Sequence, residues 1–126
     1  MEQDDKIFHR FKLATALRKI LDRNKEQVEK NILNEVESFW IVDSIRQLEA
    51  SSRLSYTIVQ GVFAAKRDIQ FSSLMSILGD GFGISFSEFA EIYDSVTDDE
   101  IKTVKKYIES SAKKKKPVRA LKKKKK

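Results

Sequence analysis

No cysteine occurs among the 126 residues, which excludes a disulfide framework and a thiolate site and suits a reducing, cytoplasmic setting. There is one histidine, His9, beside Arg10 in an amphipathic stretch. Without a second His or any Cys, neither a zinc site nor a Ser-His relay can be assembled within one chain, and His9 reads as a surface residue. No apolar run approaches the ~18 residues of a membrane span. The opening MEQDDKIF is acidic and lacks a signal peptide's basic region and apolar block. The acidic pairs Asp4-Asp5 and Asp98-Asp99 stand at expected helix starts, where the helix dipole explains them better than acid-base catalysis does. Nothing here supports an enzyme, a cofactor or a small-molecule substrate.

The charge is unevenly spread. Residues 113–126, KKKKPVRALKKKKK, hold nine Lys and one Arg and no acid, whereas the rest of the chain has 15 basic against 19 acidic residues. The net charge of +6 therefore belongs to the tail, and the body is mildly acidic. A chain of this length allows one small core with appendages. The tail reads as a disordered arm that neutralises DNA phosphates. An RNA arm, a lipid tether and a plain solubilising tail are the alternatives, lipid being disfavoured because no apolar anchor or lipidation motif accompanies it.

Neither Gly nor Pro occurs between Met1 and Trp40, and Ile7, Phe11, Ala14, Leu17, Leu21, Val28, Ile32, Val36 and Phe39 recur at helical spacing. The preferred reading is two helices meeting near Asp22-Arg23-Asn24, the second running from about Lys25 to Phe39. Phe8, Leu13 and Ile20 widen the apolar surface of the first beyond what an isolated exposed helix would carry, so it must pack on its own domain or on a second subunit. Further along, Thr97-Asp98-Asp99-Glu100 has capping-box spacing. The helix it starts would line Ile101, Val104, Tyr107 and Ile108 on one face and turn Lys102, Lys105 and Lys106 to water. Pro117 and the Lys clusters would end ordered structure.

The remaining stretch, Asp43 to Phe89, reads as three or four short helices joined by tight turns. Leu48, Leu54, Val59 and Val62 have the spacing of two helices meeting at a turn made by Ser51, Ser52 and Arg53. Ser55 can cap the second, with Ile58, Val59 and Val62 turned inward and Tyr56, Thr57, Gln60 and Gly61 outward. In order, RQLEASSRLS, YTIVQGVFAAKRD, QFSSLMSIL and FGISFSEF resemble the parts of the XRE helix-turn-helix family, the Cro and phage-repressor type. The last run, Phe82 to Phe89, matches the family's Leu/Phe-Gly-Ile/Val-Ser-x-x-Glu-Phe/Leu closing signature and is its most specific part. The resemblance implies an all-α, lambda-repressor-like bundle. Its parts would be an N-terminal amphipathic helix over 1–24, the helix-turn-helix domain over 25–92, a C-terminal helix over 93–112 and the disordered basic tail over 113–126.

Departures from the family pattern are definite. Arg53 stands where the family usually has Gly, Glu49 where it favours Ala and Ile45 where Gln is common. Phe63-Ala64-Ala65 replaces a customary Glu-x-Gly, and Gly61 removes a side chain from a position that often reads bases. The resemblance implies DNA as partner, with a helix at about 55–64 in the major groove. Tyr56, Thr57 and Gln60 would lie nearest base edges, and Arg53, Ser55, Lys66 and Arg67 would form a phosphate-binding edge. A homodimer organised by residues 4–39 would supply two half-sites. The resulting expectation is a transcriptional regulator. The competing one is a degenerate helix-turn-helix that serves as antitoxin or assembly partner without base reading. Gly79-Asp80-Gly81-Phe82-Gly83 lacks the Lys-Ser/Thr of a P-loop and stands where no strand is indicated, so it reads as a helix end with left-handed glycines.

Overall fold

Several helix starts in this chain are written as Ser or Thr followed three residues later by a free backbone amide. In a computed structural model four of them form. Ser44 Oγ accepts from Gln47 N–H at 3.2 Å, Ser55 Oγ from Ile58 at 3.3 Å, Ser85 Oγ from Glu88 at 3.1 Å and Thr97 Oγ1 from Glu100 at 3.2 Å. The structure describes the backbone of residues 2–38 and 40–124 and the side chains of 5–38 and 40–111. Its elements, all helical among these residues, are α1 (Glu2–Leu33), α2 (Ile45–Ser52), α3 (Tyr56–Phe63), α4 (Phe71–Ser76, continued by a π-helical segment Ile77–Phe82), α5 (Phe86–Ser95) and α6 (Asp98–Lys124). The backbone stays helical through Pro117 to Lys124, so ordered structure does not stop at Pro117 and the C-terminal helix does not end at residue 112 as expected. The side chains of the disordered arm expected over 113–126 lie outside those described.

One helix replaces the two expected before Trp40. Asn24 does not cap a second helix, because its side-chain amide donates instead to the carbonyl of Val42 at 2.8 Å and holds the following loop against α1. The helix stops at Leu33 rather than Phe39, where Glu35 turns left-handed at φ 59° and Val36 N–H reaches Asn31 O at 2.8 Å. The boundary placed at 24/25 therefore falls inside a continuous element. The one placed at 92/93 falls inside α5.

The core also differs in which part of α1 it uses. Ala16, Leu17, Ile20 and Leu21 enter it, together with Val42, Leu48 of α2, Val59, Val62 and Phe63 of α3, Ile77 and Leu78 of the π segment, and Phe89 of α5. Leu17, within the 4–39 stretch expected to organise a homodimer, is fully buried within its own fold. Each such side chain contributes roughly 1.5–3 kcal/mol by leaving water. The segment after Lys25, expected to be the domain's first helix, exposes Ile32 and Leu33 instead.

Helix α1 packs against α3, α5 and α6, while α2 packs against α3 and the π segment. Gly81 makes the second contact possible, since a Cβ there would overlap Cδ1 of the buried Leu48. Of the glycine cluster, Gly83 alone is left-handed, at φ 72°. Helix α6 begins with the expected capping box, Thr97 N–H donating to Glu100 Oε1 at 2.9 Å. It turns Ile101 into the interior but leaves Tyr107 61% exposed, contrary to the expected inward face, with the Arg18 guanidinium 5.4 Å from its ring. Among the described residues no helix is long and apolar enough to cross a membrane.

Candidate nucleic-acid interface

The site is built on α2, its turn and α3. Helix α2 ends at Arg53, whose φ of 63° and ψ of 22° put it in the left-handed region while its N–H bonds Glu49 O at 3.1 Å. A non-glycine residue there is strained by roughly 1–2 kcal/mol. Leu54 then joins the rim of the core, and Ser55 starts α3. The inward face forms, with Val59 and Val62 buried and Ile58 half-buried. Of the expected outward face Tyr56 and Thr57 are exposed, whereas Gln60 and Gly61 are half-buried, the Arg67 side chain lying against Gly61.

The end of α3 is closed twice over. Lys66 N–H reaches Gly61 O at 2.9 Å and Ala65 N–H reaches Val62 O at 3.2 Å, with Ala65 left-handed at φ 56°. From α1, the Arg18 guanidinium donates to Phe63 O from Nη2 at 2.7 Å and from Nε at 3.1 Å. Burial lowers the Arg18 pKa from its ordinary value. A cation at this end also complements the helix dipole.

Beyond α3 the loop Lys66-Arg67-Asp68 is anchored by Arg10, whose Nε donates to Asp68 Oδ1 at 2.9 Å. That bond holds the Asp68 carboxyl below its ordinary range and raises the Arg10 pKa. With Asp68 engaged by α1, neither Lys66 nor Arg67 pairs with an acid among the described residues.

Of the seven residues singled out from sequence, five share one hollow of about 660 Å³: Tyr56, Thr57, Gln60, Lys66 and Arg67, with Gly61 and Ala64 as its floor. Arg53 and Ser55 do not line it. Ser55 is engaged as the cap of α3, and Arg53 is exposed at the turn before it. Sequence reasoning missed Arg10 and Arg18, and no local pattern marks them. Their partners lie 58 and 45 residues away.

Glu49, placed where the family favours Ala, has an Oε1 buried without a hydrogen-bond partner. Such an atom destabilises rather than serves the fold. His9 is exposed on α1, as expected. Among the described residues no group of three His, Cys, Asp or Glu could hold a metal ion. The chain matches no family model, no curated protein and no solved structure.

Proposed function

We propose that this chain is a DNA-binding regulator of the XRE helix-turn-helix type, non-enzymatic, with α3 lying in the major groove. The observation that carries the reading is the joint placement of Tyr56, Thr57 and Gln60 on the open side of α3 beside two cations, Lys66 and Arg67, that no described acid neutralises. Polar side chains at a helix start can pair with base edges, Gln with adenine and Thr with a thymine methyl, while the cations take phosphates. The left-handed turn at Arg53 supports the family reading, since this is the conformation for which glycine is usual there. The Lys-rich tail adds sequence-independent affinity, each neutralised phosphate contributing roughly −0.9 to the log-log salt slope.

A second reading, an interaction protein without base readout, is favoured by a different observation. Ile32 and Leu33 at the far end of α1 and Val36 just beyond it are exposed by 68, 83 and 51%. An apolar group of this kind suits a protein partner or a second copy. In the regulator this same end of α1 is the dimer contact.

Selection from a random-sequence DNA pool tests the two. The regulator returns an enriched motif, and Gln60→Ala relaxes it at one or two positions with little change in salt slope. Lys66→Ala together with Arg67→Ala weakens every sequence about equally. A pool with no enriched motif overturns the regulator in favour of the interaction protein.

A further inference from the structure

Gly61 occupies the middle of α3, where glycine weakens a helix relative to alanine. Its backbone does not require glycine, since Gly83 is the one described glycine with positive φ. What it supplies is space. A Cβ at this position would overlap Cδ of Arg67, stand 2.8 Å from its Cγ and lie 3.8 Å from its Nε. The aliphatic stem of Arg67 is thus laid over the bare Cα of α3, and the side chain lines the same hollow as Tyr56, Thr57 and Gln60. The loop that delivers it is tied down one residue later by the Arg10–Asp68 bond.

We propose that Gly61 is the positioning residue for Arg67, a cradle that holds the guanidinium along the outer face of α3, where it takes a backbone phosphate of the bound duplex. The glycine that removes a base-reading side chain is therefore not a loss of function. It exchanges a side chain on the helix for an arginine crossing it from the following loop. A planar guanidinium suits this exchange, because its two-pronged donors match phosphate geometry and its preformed fork loses little freedom on binding. The inference rests on the DNA-binding reading above for the phosphate, but the cradle itself concerns the free protein.

The experiment compares the full chain with Gly61→Ala, Arg67→Ala and the double variant, by fluorescence anisotropy with a labelled duplex at low salt. It adds thermal melts and the 15N relaxation of the Arg67 Nε–H in the absence of DNA. Losing a charge-assisted phosphate bond weakens binding about tenfold or more. Gly61→Ala is expected to lose nearly as much affinity as Arg67→Ala, and the double variant no more than either. The melting temperature of Gly61→Ala stays level or rises, and its Arg67 Nε–H becomes more mobile than in the parent. A role confined to folding would move the melting temperature and leave the pattern of affinities additive. Parent-like binding by Gly61→Ala, or additive losses in the double variant, overturns the proposal. An Arg67 Nε–H already as mobile in the parent as in Gly61→Ala overturns the cradle even where DNA is bound. A parent that binds no duplex overturns the DNA-binding reading and the phosphate contact with it.

Discussion

Arg18 on α1 grips the last carbonyl of α3, with Nη2 and Nε at 2.7 and 3.1 Å from Phe63 O, while its guanidinium faces the Phe63 ring at 5.9 Å. The bond satisfies an acceptor that the helix leaves open and fixes the axis of α3 against the long helix. Replacing Arg18 by Met keeps the apolar stem and removes the donors. A hydrogen bond from a charged group is worth roughly 1.5–3 kcal/mol, so we expect a loss of about 2 kcal/mol in urea unfolding. A loss under about 0.5 kcal/mol would show that the carbonyl finds water instead.

The packing of Gly81 against Leu48 predicts a cost for one added methyl. Leu48 is fully buried and a Cβ on Gly81 overlaps its Cδ1, so Gly81→Ala must force the Leu48 side chain, or α2 with it, out of its present place. Overpacking of this kind costs about 1–3 kcal/mol. Gly79→Ala is the control, since a Cβ there meets nothing within 4 Å. Equal melting temperatures for the two variants would refute the close approach.

Two left-handed positions predict opposite signs for related changes. Ala65 closes α3 at φ 56°, so Ala65→Gly relieves backbone strain and should stabilise by about 1 kcal/mol. Gly83 has φ 72°, so Gly83→Ala introduces the same strain and should destabilise by a similar amount. Chemical denaturation of both variants measures the pair. The same sign for both would contradict the backbone geometry.

Acid should loosen the start of α6. The Glu100 carboxyl is held below its ordinary range by the backbone N–H of Thr97 first and by Lys19 next, whose Nζ stands 3.1 Å from Oε2. A lowered folded pKa means that the unfolded chain takes up the proton first. The contribution is therefore complete above the unfolded carboxylate range, near pH 4.3, and is lost as pH falls through the folded value. Asp68 behaves alike through Arg10. Unfolding midpoints between about pH 6 and 3 should fall less steeply for Glu100→Gln than for the parent. Thr97→Ala, which removes the cap at all pH values, should cost about 1 kcal/mol even at neutrality.

Local physics determined much of this fold from the sequence by itself. Ser55 and Thr97 are recognisable as caps because a hydroxyl and the amide three residues on are neighbours along the chain. The inward pair Val59 and Val62 and the outward pair Tyr56 and Thr57 follow from helical period alone. The closing Gly83 is legible for the same reason, since a left-handed turn needs only its own backbone. Other features depended on residues far apart. Asn24 looks like a cap until Val42, 18 residues on, takes its amide and lets α1 run through. Leu17 and Leu33 are both apolar residues at helical spacing, and only the arrival of α3 and α5 against one part of α1 buries the first and leaves the second 83% exposed. The meaning of Gly61 was hidden likewise. As a letter it is a missing side chain, and only the folded loop, held by Arg10 through Asp68, brings Arg67 across it to fill the space.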